Sequence, residues 1–129
     1  MRLIGPILYV EDVKKSLSFY ETSFDFKRQF MHESGFYAEL NAGDRYLAFA
    51  AHQLAKTNFS LPYQSSRQAE TPPGFELAFE CECPEKIYIK ALENGAVSVS
   101  PPSQKPWGQN VAYLRDLDGF LIAIGTPME

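Results

Sequence analysis

Two similar patterns of apolar and polar positions follow one another along this chain. Each begins with a short apolar run and continues with a helix whose apolar residues recur every three to four positions. Each then closes with a tight turn and a final apolar run, ending at Ala50 in the first pattern and at Gly125 in the second. This repetition predicts an α+β fold of two βαβββ modules, whose curved mixed sheets pair around a shared cavity.

Local signals predict where the helices and strands begin and end. Asp12 is expected to cap a helix that runs to Tyr20, because its carboxylate can accept free backbone N–H groups. Pro84 fits the first turn of a second helix, which Asn94-Gly95 ends. A proline-containing loop is expected over residues 101–108. The predicted strands are Ile4–Val10, Phe24–His32, Ser34–Leu40, Tyr46–Ala51, Phe75–Cys81, Ala96–Ser100, Asn110–Arg115 and Phe120–Gly125.

Residues 53–73 interrupt the repetition. This stretch contains three prolines and shows no sustained period, which is typical of a long connection. It serves as either a crossover linker or a lid, and the pattern does not decide between them. We therefore predict a single domain, with module one at residues 1–52, the connection at 53–73 and module two at 74–129.

The alternation of side chains along a strand predicts which residues face the cavity. The bulky residues Leu47, Phe49, Phe120, Ile122 and Ile124 are assigned to the helix side of their sheets. A slip of one residue would reverse the assignment of any strand. The predicted cavity faces are Gly5, Ile7, Tyr9, Tyr37, Glu39, Tyr46, Ala48 and Ala50 in module one, and Glu76, Ala78, Glu80, Asn110, Ala112, Leu114, Leu121, Ala123 and Gly125 in module two.

The composition of the 129 residues narrows the choice of partners. The chain has 10 Phe and 7 Tyr, which predicts a large core or an aromatic pocket. Its net charge of −4, without a basic patch, argues against a nucleic-acid partner. No apolar run approaches the length of a membrane span, so no membrane partner is expected. Cys81 and Cys83 are one residue apart on a predicted strand, where cysteines rarely pair, and they are interpreted as structural thiols, which favours a cytoplasmic location.

Three segments occur in an order and spacing that carry a family resemblance: Leu8–Val13 with Ser16–Tyr20, Pro106–Gly108, and Arg115–Phe120. They resemble the vicinal oxygen chelate superfamily, which includes glyoxalase I, bleomycin-resistance proteins, fosfomycin-resistance enzymes and extradiol dioxygenases. With the duplicated layout, the resemblance covers essentially the whole chain. It implies the fold, but one fold hosts many sites, so it leaves the reaction open. Relatives of this length commonly form homodimers, swapped or unswapped, and a homodimer is expected here.

Metal-dependent members of the superfamily surround one divalent ion with four cavity residues, each His, Glu or Gln. Glycine and alanine have no donor atom, and one carboxylate cannot hold an ion that needs several protein ligands. The resemblance therefore implies no metal and no cofactor here. His32 and His52 lie outside the matched positions. The matched positions in this sequence are Gly5, Ala48, Glu76 and Ala123.

Carboxylates and aromatic rings in the predicted lining suit a cationic or flat aromatic ligand. One hypothesis is a metal-independent protein that sequesters or senses such a compound, for example an antibiotic, as bleomycin-resistance proteins do. The other is a lyase, isomerase or related enzyme, in which a desolvated Glu76 with a raised pKa acts as general base, or a metal binds in a non-standard way. A weaker third hypothesis is a scaffold whose cavity is filled by its own side chains. The predicted ligand-binding residues are Tyr9, Tyr37, Tyr46, Glu76, Glu80, Trp107 and Asn110, and Glu76 is also the candidate catalytic residue.

Overall fold

The computed structural model describes residues 1–68 and 70–128, and within them eight strands and three helices follow one another. Residue 69 of the predicted connection and the predicted module end at residue 129 lie outside the described residues. No helix in the described ranges is long and apolar enough to cross a membrane. The elements are β1 (Ile7–Val10), α1 (Val13–Phe24), β2 (Lys27–Met31), β3 (Tyr37–Ala42), β4 (Arg45–Ala51), α2 (His52–Asn58), β5 (Glu76–Glu80), α3 (Pro84–Glu93), β6 (Val97–Gln104), β7 (Asn110–Arg115) and β8 (Leu121–Gly125).

The chain divides into two compact units, Met1–Ser65 and Ser66–Glu129. The first contains a four-stranded sheet in the order β1-β4-β3-β2, and the second a sheet in the order β5-β8-β7-β6. In each sheet the opening strand is parallel to the closing strand, and the other pairs are antiparallel. The two sheets thus repeat one topology, which confirms the predicted α+β fold of duplicated βαβββ units.

Each unit buries one face of its sheet against a helix. In the first unit α1 packs on β4 and β3, and the ring of Tyr20 lies 5.1 Å from the ring of Phe49. In the second, α3 packs on β6, β7 and β8. Burying one such large apolar side chain contributes about 1.5–3 kcal/mol, so the buried residues between sheet and helix stabilise each unit. The fully buried rows are Leu8, Val10, Leu17, Ala38, Leu40 and Phe49 in the first unit, and Ala91, Ala112, Leu114 and Ile122 in the second.

The predicted helix signals work as expected, but α1 is longer than its apolar spacing indicates. The Asp12 carboxylate accepts the Lys15 backbone N–H at 3.1 Å, and Pro84 occupies the first turn of α3. The helix continues through Phe24, whose ring packs edge-on against Phe19 at 5.7 Å. It stops at Asp25, which has a left-handed φ of +58°. The strand predicted to start at Phe24 therefore starts at Lys27.

Two further elements differ from the sequence prediction. Helix α2 occupies the start of the predicted connection. Ala55 is the only buried residue among those described in this helix, so the sequence of the helix shows no amphipathic period. Strand β6 continues through Pro101-Pro102, where a loop was predicted. The prolines are tolerated because β6 is an edge strand with irregular pairing to β7 between Ser98 and Ser103.

Candidate functional site

Small side chains on the central strand of the first sheet form the floor of a groove. Strand β4 lies between β1 and β3, and its residues pair with both neighbours. Longer side chains stand on either side of the two alanines, on the face opposite the Leu8–Phe49 row. We refer to this feature as the β4 groove. Its residues share one face of the sheet, as the alternation along the strands predicted. The groove consists of Ala48 flanked by Ile7 and Glu39, and Ala50 flanked by Tyr9 and Tyr37.

The Ala48 end of the β4 groove opens into a small cavity of about 60 Å³. Tyr37 and Glu39 line it, and the Tyr37 hydroxyl donates a hydrogen bond to Glu39 Oε2 at 2.7 Å. Tyr46, which is 41% exposed, contributes a further aromatic ring, and residues 4–7 line the same cavity. The structure therefore brings two predicted ligand residues, Tyr37 and Tyr46, together with a carboxylate on one face.

The hydrogen bond to Glu39 changes the acid–base behaviour of Tyr37. Burial, the bond to Glu39 and the charge of Glu39 together raise the pKa of Tyr37 from its usual 10.0 to about 12. The phenol therefore remains protonated, and able to donate, throughout the physiological range. This fixed donor holds the Glu39 carboxylate in place on the groove wall.

A pH titration tests this pairing. Because the folded-state pKa of Tyr37 is raised, its contribution to folding is complete below about pH 10 and is lost as pH rises toward about 12. The difference in phenolate absorbance between the wild type and Tyr37→Phe should titrate near pH 12. In a Glu39→Gln background the same difference should move down toward the ordinary tyrosine range, since the charge is gone. A wild-type difference that already titrates in the ordinary range would contradict the pairing.

The Ala50 end of the groove is closed by aromatic packing that the sequence did not reveal. The ring of Tyr9 lies 5.0 Å from the ring of Tyr63 and 6.3 Å from that of Phe59. The Tyr63 hydroxyl is 2.6 Å from His52 Nδ1, and burial raises the pKa of Tyr63. Tyr9 thus lies on the predicted face but is not among the residues that line the cavity. Phe59 and Tyr63 come from the predicted connection, which carried no periodic signal.

In the second unit, β5 places Glu76 and Glu80 on one face of its sheet, as predicted from the alternation. Ala78 lies between them and pairs with Ala123, while Glu76 pairs with Leu121. Both carboxylates are exposed. The expectation that Glu76 is desolvated is therefore wrong in this structure, because a short β5 at the edge of the sheet leaves the side chain in contact with solvent.

The predicted face of β7 is wrong by one residue. Ala112 pairs with Ile124 and Leu114 with Ile122, so these residues lie on the buried helix side, and Asn110 shares their parity. The reason is the length of the turn. Pairing of Arg115 with Leu121 leaves five residues in the turn, held by a buried Asp116 carboxylate that accepts the backbone N–H groups of residues 118 and 120.

The observed register places an aromatic residue that was not predicted on the face that carries Glu76. Tyr113 pairs with Ala123 and is half-buried, and Lys105 Nζ lies 5.6 Å from the centre of its ring. Asn110, a predicted ligand residue, does not share this face. Its backbone N–H donates to the Thr126 hydroxyl at 3.0 Å. The alternation along β7 contained the signal for Tyr113, and only the turn length concealed it.

Trp107 lies in the loop before β7 and is 60% exposed. Its indole N–H donates to Gln109 Oε1 at 2.9 Å, and Gln109 Nε2 donates to the Thr126 carbonyl at 2.7 Å. Trp107 lines a cavity of about 310 Å³ with residues 108, 109 and 126–128. Neither Glu76 nor Glu80 lines that cavity, so these predicted ligand residues are not gathered into one pocket.

The residues at the four positions that hold the metal ion in metal-dependent members of the superfamily do not suit a metal ion in this chain. In the first unit, Gly5 and Ala48 offer no donor atom. In addition, Gly5 has a φ of +141°, and a Cβ there would overlap the backbone carbonyl oxygen of Tyr46. In the second unit, the corresponding pair is Glu76 and Ala123, which offers a single carboxylate. The donors in either unit are too few for a divalent transition metal.

The histidines do not supply an alternative metal site. His32 Nδ1 lies 2.8 Å from the Ser34 hydroxyl and accepts the Ser34 backbone N–H, so it stabilises a turn. His52 stacks on Tyr63. Within residues 1–68 and 70–128, no group of three or more His, Cys, Asp or Glu side chains is arranged to hold a metal ion.

Known proteins resemble this chain in both sequence and fold. The Glyoxalase-like domain family matches residues 3–129. The uncharacterized protein YraH of Bacillus subtilis (strain 168) is 28% identical over 125 residues, which are 96% of this chain and 97% of that protein.

Two solved structures show the same fold at low sequence identity. A glyoxalase-related enzyme from Fulvimarina pelagi has a TM-score of 0.84 at 18% identity, covering 98% of this chain and 88% of its own. A glyoxalase/bleomycin resistance protein/dioxygenase family enzyme from Burkholderia phytofirmans PsJN has a TM-score of 0.76 at 20% identity, covering 98% of both chains. The chain belongs to the Glyoxalase-like domain family, within the vicinal oxygen chelate superfamily.

Proposed function

We propose that this protein binds a cationic or flat aromatic small molecule in the β4 groove without a metal ion, and sequesters it unchanged. The observation that carries the proposal is the Tyr37–Glu39 pair at the open end of the groove. A carboxylate that is fixed by a phenol and flanked by aromatic rings attracts a cation by charge and by cation–π contact, which contributes ~0.5–2 kcal/mol.

The shape of the groove supports the same proposal. Ala48 leaves space above the sheet where a bulkier side chain would fill it, and the Tyr37 and Tyr46 rings border that space. The cavity is small and open, so it suits one ring or one cationic group rather than a whole large molecule. Part of a larger compound, such as an antibiotic, can enter in this way while the remainder stays outside.

A second candidate function is catalysis by a lyase or isomerase, with a carboxylate as general base. The observation that favours it is the half-buried carboxylate of Glu39, which lines a cavity, whereas Glu76 is exposed. A base must lie within hydrogen-bonding reach of the proton that it removes, so a carboxylate in a cavity is the better placed of the two. The two functions differ in whether the bound compound is recovered unchanged.

Titration with benzylamine, followed by NMR, tests the proposed site. A ligand of this size should bind with a Kd in the millimolar range, on the order of −4 kcal/mol. Glu39→Gln keeps the shape of the side chain and removes its charge, so it should weaken binding about fivefold, the value of a partly exposed charge pair. Glu76→Gln and Glu80→Gln make the same charge change on the second sheet and should leave the Kd unaltered.

The outcomes separate the alternatives. Loss of binding in Glu76→Gln, with Glu39→Gln unaffected, would move the site to the second sheet and refute the β4 groove. Mass analysis of compounds recovered after incubation decides between binding and catalysis, since sequestration returns the same mass. A product that forms with the wild type but not with Glu39→Gln would establish the enzyme and overturn sequestration.

A further inference from the structure

A second and larger cavity lies next to the β4 groove in the first unit. It has a volume of about 340 Å³, which falls within the usual range for small-molecule sites. Ile4 and Tyr46 line both this cavity and the smaller one at Ala48, so the two are immediate neighbours. The larger cavity is lined by Arg2, Leu3, Ile4, Asn41, Asp44, Arg45 and Tyr46.

The strand register places the two cavities in line along one face. Glu39 pairs with Ala48, and Asn41 pairs with Tyr46 two residues further along the same strands. Two residues of a strand span about 7 Å, so Glu39 and Asn41 are separated along β3 by roughly the length of a substituted benzene ring. A single small molecule can therefore reach both regions at once.

The backbone before β1 fixes the far wall of the larger cavity. The Ala48 backbone N–H donates to the Pro6 carbonyl at 3.1 Å, which holds this segment against β4. At Gly5 the chain passes so close to the Tyr46 carbonyl that only glycine fits. Arg2 precedes Gly5 by three residues and lines the cavity together with Arg45, which follows the turn of the β3–β4 hairpin.

The charges of the larger cavity are opposite in kind to those of the groove. Arg2 and Arg45 supply two guanidinium groups, and neither has an ion pair within 4 Å among residues 1–68 and 70–128. Asp44 supplies one carboxylate, so the lining carries a net charge of +1 in a protein whose net charge is −4. Guanidinium groups bind carboxylate and phosphate through paired hydrogen bonds.

We propose that the two cavities form one site for a zwitterionic small molecule. Its cationic or aromatic part occupies the Tyr37–Glu39 end, and its carboxylate or phosphate occupies the Arg2–Arg45 end. This inference rests on the proposed function of the β4 groove and specifies the class of ligand. An acidic groove alone selects against anions, whereas the adjoining arginines select molecules that carry both charges.

A pair of matched probes tests the zwitterion site. Benzylamine carries only the cation, and 4-(aminomethyl)benzoate adds a carboxylate on the opposite side of the ring. The wild type should bind 4-(aminomethyl)benzoate about fivefold to tenfold more tightly than benzylamine, and added salt should reduce this advantage. Inorganic phosphate should compete with 4-(aminomethyl)benzoate for the Arg2–Arg45 end, and it should not compete with benzylamine.

The variants separate this inference from the proposed function. Arg2→Gln/Arg45→Gln should abolish the advantage of 4-(aminomethyl)benzoate, and it should not weaken benzylamine binding, because it removes two positive charges that repel the ammonium group. Lys15→Gln alters an exposed cation on α1 and should preserve the advantage. If benzylamine fails to bind the wild type, the proposed function fails. If benzylamine binds in a Glu39-dependent way but the carboxylate gives no advantage, or the advantage survives in the double variant, only the zwitterion site is refuted.

Discussion

The Gly5→Ala variant is expected to lose about 3 kcal/mol of unfolding free energy and most of its affinity for benzylamine. The backbone at Gly5 has a φ of +141°, which costs an alanine of order 1–3 kcal/mol. The new Cβ would also overlap the carbonyl oxygen of Tyr46, a backbone atom that cannot rotate away. The strain is relieved only by moving the segment before β1 off the hairpin, which breaks the Ala48–Pro6 hydrogen bond and opens both cavities.

Gly43→Ala is the matched control for this variant. Gly43 also has a positive φ, +77°, but nothing lies within 4 Å of the position that its Cβ would take. It should therefore lose only the backbone preference, about 1 kcal/mol, and should keep its benzylamine affinity. Urea unfolding monitored by circular dichroism measures both variants. Equal losses of stability in the two would show that the approach of Gly5 to Tyr46 does not restrain the chain.

Gly5 occupies a position at which metal-dependent members of the superfamily carry a ligand, and its backbone conformation restricts which residues could replace it. The family resemblance implies only that position 5 has no donor atom. The structure adds a backbone conformation that no donor-bearing residue adopts without displacing Tyr46. Restoring a histidine at this position would therefore disturb the fold before it could restore a ligand.

Predictions that depended on local chemistry were accurate. The Asp12 cap, Pro84 in the first turn of α3 and the left-handed Gly95 each stabilise a helix end through atoms that are close in sequence. The face of β3 was also predictable, because Tyr37 and Glu39 alternate with a buried alanine and leucine. The duplicated order of these signals was sufficient to predict both sheets.

Predictions that depended on tertiary structure failed in identifiable ways. Strand β7 alternates between two sets that both contain apolar residues, so its face depends on the length of the following turn. That length is set by the buried Asp116, whose environment the sequence does not reveal. Likewise, the rings of Phe59 and Tyr63 pack on Tyr9 and close that end of the groove. They belong to a segment without periodicity, so the sequence did not predict this contact.

Arg115→Ala is expected to lose about 3–5 kcal/mol of unfolding free energy. The Arg115 side chain is only 8% exposed, and its guanidinium group donates to three backbone carbonyls. The acceptors are Gly119 at 2.8 Å, Gln68 at 2.8 Å and Arg67 at 2.6 Å. A single hydrogen bond to a charged group contributes about 1.5–3 kcal/mol, and bonds from one side chain are not fully additive. Truncation also leaves partly buried carbonyls without this partner. The variant should also make residues 66–68 susceptible to limited proteolysis, because the hydrogen bonds from Arg115 hold this segment against the turn after β7.

Arg67→Ala is the control that isolates the role of Arg115. The side chain of Arg67 is exposed, and the bond that it shares with Arg115 uses its backbone carbonyl, which alanine retains. Its stability and its proteolysis pattern should therefore match the wild type within about 0.5 kcal/mol, as for most surface substitutions. Arg115→Lys preserves the charge but cannot reach three carbonyls in a fixed plane, so its loss should be intermediate. If Arg115→Lys is as stable as the wild type, the positive charge alone stabilises this turn, and the directed hydrogen bonds to residues 67, 68 and 119 contribute little.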